Sequence, residues 1–354
     1  METLLDRLTE HLDARSDEMP RLPMLFPADA FLDTVGEAMR RRLFVCDAAG
    51  RSLCLRPEFT IPLCLHHIES DVLLGKIYAA AGTVFRQDRD REEFPQAGLE
   101  WVGHMDTHRA DAGALTHMVE ALELVGVDGP HVTVGDKALF AALLDTLDLT
   151  ETWRARLLRA FGDPALDTHI AELASPPVEP DSDHERLALD GDAEKLTREV
   201  EDLMKAGGLT PGEGRDPAIV AARMIERTRD RRVRLDPFAL HVVRSFLGID
   251  QPLVDAVHSL ETLAEQSDLD MGGAVHRFSS RLVHLDKLDL TRFRFRAGFG
   301  RALDYYTGLL FEAAVEPDGR PVAGGGRYDR LCSMLGATTP IPAVGFTIML
   351  DRVR

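Results

Sequence analysis

The stretch FGRALDYYTG, residues 299–308, decides how the chain is interpreted, because it places an arginine, an acid and two adjacent tyrosines between two glycines. The run before it, residues 292–296, alternates arginine with phenylalanine, and the run after it, residues 309–315, is mostly apolar. These patterns predict a half-buried strand and then a buried one. If the chain is extended at the junction, Tyr305 and Tyr306 point to opposite faces. The residues alone leave two interpretations open, a strand edge packed on a helix and the wall of a ligand pocket.

A second polar stretch, RPEFT at residues 56–60, follows a predicted hairpin and precedes a predicted helix. Pro57 restricts the backbone, and Thr60 is expected to cap the helix. Glu58 and Thr60 are then acceptors on a rigid turn, which favours binding of an ammonium group. The alternative is an ordinary cap next to a structural ion pair between Glu58 and Arg56.

A further hairpin, with predicted strands at residues 75–85 and 94–103, carries polar side chains on its second strand. Gln96, Gly98 and Glu100 share one face there, because side chains alternate along a strand. A glutamine and a glutamate around a glycine are typical of a polar pocket floor. Burying Glu100 without a cation is costly. We therefore expect either an arginine of the chain or a basic ligand as its partner.

Composition limits the possible functions. The chain has 354 residues, is 45% hydrophobic and carries a formal net charge of -18, which disfavours nucleic acids and anionic membranes as partners. It has no apolar run of membrane-spanning length and no N-terminal signal pattern, so we expect a cytoplasmic protein. Four cysteines form no CxxC pair, which favours free thiols over a metal site: Cys46, Cys54, Cys64 and Cys332.

Five motifs together resemble, in the same order, those of histidyl-tRNA synthetases: residues 56–60, 85–100, 301–306, 324–329 (GGGRYD) and 343–346 (AVGF). The resemblance implies an α+β fold with a class II aminoacyl-tRNA synthetase-like core, a mostly antiparallel sheet flanked by helices, usually in a dimer. The core would comprise residues 1–135 and 291–354, and residues 136–290 would form a mainly helical insertion.

The resemblance also implies a histidine pocket with eight members: Glu58, Thr60, Arg86, Gln96, Glu100, Arg301, Tyr305 and Tyr306. The acceptors of residues 56–60 and Gln96 would hold the amino group, whereas Glu100 and Tyr306 would bind the imidazole nitrogens.

An arginine would complete this pocket. Arg301 would face the carboxylate, with Tyr305 nearby, which agrees with the need of a zwitterion for both an acidic and a basic anchor. Hydrogen bonds to charged groups contribute about 1.5–3 kcal/mol each. Several of them would support micromolar or tighter binding.

The sequence departs from the synthetase pattern where ATP and tRNA would bind. The turn of the second motif is short, and the usual Arg-x-Glu becomes Arg-Gln-Asp at residues 86–88. Met349 stands where the synthetase has a glycine, and Asp351 where it has a glutamate, although Arg352 remains. No anticodon-binding domain is expected, since the sequence ends at Arg354. We therefore expect a retained amino-acid pocket and a degraded nucleotide site.

This combination resembles the synthetase-like regulatory subunits of ATP phosphoribosyltransferase. The resemblance implies a non-catalytic subunit in the first step of histidine biosynthesis, with no catalytic residue, cofactor or metal. Its partners would be a short-form catalytic subunit, a second copy of itself and histidine as feedback ligand. One alternative is a truncated enzyme that forms histidyl-adenylate, since Arg86, Arg301 and Arg352 could clamp phosphates. Another is a homodimeric histidine-binding protein without a catalytic partner.

The predicted insertion offers one further feature, a run of arginines around residues 223–234. Glu226 and Asp230 alternate with them, which favours a solvated ion-pair face over a tRNA-binding or partner-binding face. Helices are predicted over residues 185–205 and 217–230.

Overall fold

The computed structural model describes residues 3–48, 50–70, 74–88, 91–176, 179–180, 182–209, 216–301, 303 and 305–353. Contacts divide the chain into two compact units. The first, here called the sheet unit, comprises Met1–Thr146, Phe161–Asp163 and Val243–Arg354. The second, the helical unit, comprises Leu147–Ala160 and Pro164–Val242. The helical unit lies within residues 136–290, whose assignment as a domain insertion stays a prediction.

The described strands all belong to the sheet unit: β1 (Leu25–Pro27), β2 (Val45–Ala48), β3 (Arg51–Leu55), β4 (Lys76–Phe85), β5 (Glu93–Val102), β6 (His131–Asp136), β7 (Asp250–Pro252), β8 (Phe293–Arg296), β9 (Leu309–Ala314), β10 (Pro321–Arg327) and β11 (Ala343–Met349). The described α-helices are, in chain order, α1 (Leu4–Asp13), α2 (Ala28–Leu32), α3 (Glu37–Arg40), α4 (Thr60–Glu69), α5 (Thr107–Leu124), α6 (Lys137–Asp145), α7 (Glu151–Arg159), α8 (Ala165–Ala174), α9 (Asp183–Asp190), α10 (Ala193–Ala206), α11 (Pro217–Arg232), α12 (Pro237–Leu247), α13 (Ala256–Gln266), α14 (Gly272–Leu282) and α15 (Leu331–Met334). Short 3-10 turns cover Leu253–Asp255, Val283–Leu285, Leu290–Arg292 and Leu350–Arg352.

The large sheet has the strand order β4-β5-β11-β10-β9-β6-β8-β7, and β1, β3 and β2 form a small separate sheet. All neighbouring pairs are antiparallel except β6 and β8. This arrangement confirms the expected α+β architecture of a mostly antiparallel sheet flanked by helices.

One face of the large sheet is covered by α5. Trp101 of β5 stacks on His117 of α5 with ring centroids 5.8 Å apart, and it also packs against Phe346 of β11 at 6.4 Å. Asp106 caps α5, because its side chain accepts a hydrogen bond from the backbone N–H of Arg109. The residues that alternate with Trp101 along β5 therefore face the opposite side of the sheet.

Two predicted helices are broken in the structure. Apolar residues at helical spacing predict one helix over residues 28–42, whereas the structure divides this segment into α2 and α3 with a turn around residues 33–36. The helix expected over residues 185–205 is divided into α9 and α10, because Gly191 ends α9 in a left-handed conformation with φ 72° and Asp192 caps α10. A glycine inside an amphipathic pattern is a weak signal for a helix end.

The arginine run lies on α11 and just beyond it, within the helical unit. Arg231 forms an ion pair with Glu185 at 2.6 Å, and Arg234 donates to the carbonyl oxygen of Ser175 at 2.5 Å. The favoured interpretation as an ion-pair face agrees with these contacts. No helix of the described residues is long and apolar enough to cross a membrane.

Candidate functional site

The polar residues expected to bind a ligand lie on the sheet face opposite α5. In the register of β5, β11, β10 and β9, Gly98, Thr347, Gly324 and Glu312 form one row across the sheet. Glu100, Gly345 and Gly326 form the next row. The site is therefore a polar row bordered by glycines in the middle of the sheet.

Two of these glycines leave room for charged side chains. A Cβ atom at Gly345 would overlap the Glu100 carboxyl group, and one at Gly324 would overlap the Arg301 guanidinium. Glycine at these positions is required by close approach, although it weakens a strand. The glycine-rich part of β10 is thus a space for side chains of neighbouring segments and not a phosphate loop.

Glu58 is held at the N-terminus of α4. Its carboxylate accepts hydrogen bonds from the backbone N–H groups of Thr60 at 2.6 Å and Ile61 at 3.0 Å. The prediction that Thr60 caps this helix is wrong, because Thr60 is the first helical residue and Glu58 satisfies the free N–H groups. Burial raises the pKa of Glu58, and the hydrogen bonds oppose that effect.

The alternative ion pair between Glu58 and Arg56 is absent among the described contacts. Arg56 donates instead to the carbonyl oxygens of Thr83, Leu22 and Pro23 at 2.9–3.2 Å. Glu58 is therefore a buried carboxylate whose hydrogen-bond partners are backbone N–H groups.

Glu100 is buried, with 3% of its surface exposed, and its partners are hydroxyl groups. Thr60 Oγ1 donates to Glu100 Oε1 at 2.6 Å, and the Tyr328 hydroxyl donates to Oε2. An arginine of the chain, one of the two expected partners, is not in contact with it among the described residues. Burial raises the pKa of Glu100 to about 8. Burial therefore favours the protonated form of this carboxyl group near neutral pH.

Tyr305 and Tyr306 are both buried and lie side by side, with ring centroids 5.0 Å apart. The condition for opposite faces, an extended chain, is not met, because Tyr305 lies in a turn before β9. Tyr328 packs edge-on against Tyr305 at 5.7 Å. Burial raises the pKa of all three hydroxyl groups, which therefore stay neutral as hydrogen-bond donors.

Arg301 approaches this tyrosine cluster from the segment before it. Its Nε lies 3.3 Å from Glu312 Oε1, and its guanidinium lies 5.8 Å from the Tyr306 ring centroid. Its Nη1 atom is buried and has no hydrogen-bond partner among the described residues. A buried N–H group without an acceptor is costly, and this atom could donate to an anionic ligand group. Ala302 and Asp304 of the same motif lie outside the described residues.

Two more arginines lie near the end of β11. Arg86 donates to the Pro57 carbonyl oxygen at 2.9 Å, and burial followed by repulsion from Arg42 lowers its pKa to about 10. Arg352 donates to the Pro321 carbonyl oxygen at 2.8 Å, while its Nε is buried without a partner in the described part of the chain. The guanidinium of Arg352 is therefore incompletely satisfied.

The positions that depart from the synthetase pattern lie close by. Met349 is buried and pairs in register with Gln96, which is also buried. Asp351 lies 3.5 Å from Arg91. Residues 89–90 of the short second-motif turn lie outside the described residues.

A buried ion network supports the site from the α5 side. The Asp111 carboxylate accepts from Arg327 Nε at 2.8 Å and from Arg281 Nε at 2.6 Å, and Arg281 also pairs with Asp136. The residues after Arg327 then hold the tyrosine turn, because the backbone N–H of Asp329 donates to Thr307 Oγ1. The network connects β10, α5 and α14 beneath the site.

The structure thus brings most of the predicted residues together. Glu58, Thr60 and Glu100 form one connected group, and Tyr306 is influenced electrostatically by Arg301, Glu100 and Glu58. Neither Tyr328 nor Glu312 was among the eight predicted pocket residues. The GGGRYD motif was the available signal for Tyr328, whereas Glu312 is an isolated acid in an apolar strand. Among the described residues, no histidine, cysteine or acid group has the geometry of a metal site.

The comparisons with known proteins first define the class. The family model of histidyl-tRNA synthetase matches residues 2–249 and 251–353. A structure from Bacillus halodurans, described as an ATP phosphoribosyltransferase regulatory subunit/histidyl-tRNA synthetase, is 20% identical and has a TM-score of 0.65. It covers 98% of this chain and 76% of its own. A histidyl-tRNA synthetase from Nostoc sp. is 16% identical with a TM-score of 0.65, covering 99% of this chain and 69% of its own. The expected class II synthetase-like fold is confirmed.

The sequence relatives narrow this class. A protein of Mesorhizobium japonicum is 43% identical over 355 residues, covering 98% of this chain and 95% of its own. One of Chelativorans sp. is 44% identical over 340 residues, covering 94% and 91% respectively. Both are named ATP phosphoribosyltransferase regulatory subunit. The chain belongs to this family of regulatory subunits. The predictions of that family and of a non-catalytic subunit in histidine biosynthesis are thereby confirmed.

Proposed function

We propose that the chain binds free histidine in the pocket around Tyr306 and conveys its presence to a short-form ATP phosphoribosyltransferase catalytic subunit that needs this chain for activity. The observation that carries the proposal is that two buried acids, Glu58 and Glu100, occur in the same site as Arg301, whose Nη1 is buried without a partner among the described residues. An amino acid with a polar side chain supplies a partner for each of them.

The ammonium group would lie among the acceptors of Glu58, Thr60 and Gln96. Glu58 is suited to this role because its carboxylate is fixed by α4 and carries negative charge when ionised. A charge-assisted hydrogen bond to a buried carboxylate is roughly twice as strong as a neutral one. Arg301 Nη1 would donate to the carboxylate at the other end of the ligand.

The imidazole would lie between Glu100 and Tyr306. A protonated Glu100 can donate a hydrogen bond to an unprotonated ring nitrogen, and an ionised Glu100 can accept one from a ring N–H group. The pKa of about 8 allows both states near neutral pH. Glu100 therefore suits a ligand side chain that titrates in the same range.

Regulation would require coupling between this site and the catalytic site of the partner chain. Histidine must bind one state of the complex more tightly than the other for this coupling to exist. We propose a homodimer of this chain inside a hetero-oligomer with the catalytic subunit, in the cytoplasm, without nucleic acid or membrane as partner. The names of the relatives support a catalytic partner, and the charge of -18 disfavours nucleic acids and anionic membranes.

The test combines titration with reconstitution. Isothermal titration of the purified chain should give heat with histidine and none with ATP and magnesium. Adding the chain to a purified short-form catalytic subunit should produce activity, which histidine should reduce. Glu100→Leu, which removes both the donor and the acceptor, should lose histidine binding and feedback but not activation, whereas the exposed Glu316→Leu should behave like the wild type. No histidine binding, or activation without feedback, would contradict the proposal.

One observation favours a second candidate, formation of histidyl-adenylate. Arg86, Arg301 and Arg352 are all partly or fully buried, and the last two have unpartnered N–H groups that phosphates could accept. Met349, in place of the synthetase glycine, argues against a nucleotide beside Gln96. Histidine-dependent exchange of pyrophosphate into ATP separates the candidates, since only an adenylate-forming enzyme shows it.

A further inference from the structure

Glu312 is an acid at the boundary between the candidate pocket and a separate cleft. It lies on β9, paired in register with Gly324 of β10 and Thr133 of β6. On the pocket side its Oε1 contacts Arg301 Nε at 3.3 Å. On the other side it lines an open cavity of about 690 Å³ over β6, β8 and β9. No role is assigned to it by the five synthetase-like motifs.

Glu312 contacts the guanidinium of Arg301 at its Nε atom. Arg301 has five N–H donors in a rigid planar fork, so fixing Nε also fixes the direction of Nη1. Nη1 is the buried atom that has no partner among the described residues. Glycine at position 324 leaves the space in which this atom lies. Glu312 therefore orients Arg301 and leaves Nη1 free to donate to a ligand.

The same contact also reduces the positive charge that a ligand would meet. Glu312 is largely buried, with 26% of its side chain exposed, and Arg301 has 18% exposed, so the two charges interact with little screening. A ligand carboxylate near Nη1 would be attracted by Arg301 and repelled by Glu312. Orientation and charge thus act in opposite directions on ligand affinity.

We infer that Glu312 is a positioning residue that directs Arg301 Nη1 at the ligand carboxylate while moderating the affinity for that carboxylate. This inference rests on the proposed histidine site. Its consequence is selectivity: Glu312 affects only ligands that carry the carboxylate. A residue that merely stabilises the fold would change the affinity for all ligands alike.

Two variants separate the two effects. Glu312→Gln keeps an oxygen that can accept from Nε but removes the charge. Glu312→Asp keeps the charge but withdraws the oxygen by one methylene. We expect Glu312→Gln to bind histidine about three- to tenfold more tightly and Glu312→Asp to bind it more weakly by a similar factor, in line with the modest energy of one moderated ion pair.

The experiment measures dissociation constants for histidine and for histamine, which has the imidazole and ammonium groups but no carboxylate. Histamine affinity should stay the same in both variants, and thermal unfolding should verify that they fold. Glu316→Gln is the matched control, because it removes an exposed acid from the same cleft away from Arg301.

The outcomes are distinguishable. Opposite shifts for histidine with constant histamine affinity support the inference. Equal shifts for both ligands, or shifts of the same sign in both variants, overturn it and leave the proposed function intact. If the wild-type chain binds neither ligand, the proposed function fails, and the inference fails with it.

Discussion

Asp111 and Glu100 are both buried carboxyl groups of the sheet unit, yet their surroundings differ. Asp111 is 0% exposed and is bound by the guanidiniums of Arg281 and Arg327. Glu100 is 3% exposed and is bound by two hydroxyl groups, so burial raises its pKa to about 8. A buried acid with arginine partners holds the scaffold together. A buried acid without them is available to a ligand at the expense of stability.

The largest expected effect is the removal of the scaffold acid. Asp111→Ala leaves two buried guanidiniums without their shared acceptor, and breaking a buried ion pair in this way costs about 3–5 kcal/mol. Urea unfolding should therefore show a free energy of unfolding lower by that amount. The matched control is Glu120→Ala, which removes a half-exposed partner of Arg15 and should cost less than about 1 kcal/mol. Similar losses for both variants would contradict the structural role of Asp111.

The second expected effect is a pH dependence of stability from Glu100. Its folded-state pKa of about 8 is above the unfolded value of 4.5, so the folded chain binds this proton more tightly. The stabilisation is complete below the unfolded pKa and is lost as the pH rises toward and through about 8. Glu100→Gln should remove this slope, which amounts to about 4 kcal/mol between pH 4.5 and pH 8.

Unfolding curves at several pH values measure this slope. Glu316→Gln should keep the wild-type slope, because Glu316 is exposed. An equal slope in the wild type and in Glu100→Gln would show that Glu100 is not the responsible group.

The third prediction concerns the ligand end opposite Glu100. Gly324→Ala places a methyl group in the space of the Arg301 guanidinium, which must move. Loss of one charge-assisted hydrogen bond corresponds to about 1.5–3 kcal/mol, so histidine binding should weaken about tenfold to a hundredfold. Calorimetric titration measures the dissociation constant for histidine. Gly272→Ala, where the added carbon meets open space, should bind histidine like the wild type.

The smallest expected effect comes from one hydroxyl group. In the wild type, the hydrogen bond from the Tyr328 hydroxyl to Glu100 Oε2 lowers the pKa of that carboxyl group. Tyr328→Phe removes this hydrogen bond. The pKa of Glu100 should therefore rise further, and histidine binding should weaken about fivefold to tenfold, as expected for about 1 kcal/mol. Tyr78→Phe removes a hydroxyl bonded to His67 and should leave binding unchanged. Equal effects of the two changes would argue against a specific role of Tyr328.

The sequence was sufficient to predict the strands that build the site, because alternation and turn residues are local signals. The strands predicted at residues 75–85 and 94–103 correspond closely to β4 and β5. Local patterns failed where a backbone choice depends on tertiary contacts. Opposite faces for Tyr305 and Tyr306 were expected only for an extended chain, but Tyr305 lies in a turn, and Asp329 holds the nearby Thr307 through a hydrogen bond.

The roles of the charged residues were harder to predict for a physical reason. Composition showed that Glu100 needed a partner, but only the fold shows that Thr60 and Tyr328 provide it in place of an arginine. Asp111 and Arg281 are 170 residues apart in the sequence, and nothing local connects them. Resemblance to synthetase motifs supplied the candidate ligand residues, and packing supplied their partners.

The most direct measurement is calorimetric titration of the wild-type chain and of Glu100→Leu with histidine at pH 7. Saturable binding by the wild type, lost in Glu100→Leu although that variant is folded, is the expected result. Equal binding of histidine by both chains would contradict the assignment of Glu100, the buried acid that has no arginine partner, as a ligand-binding group.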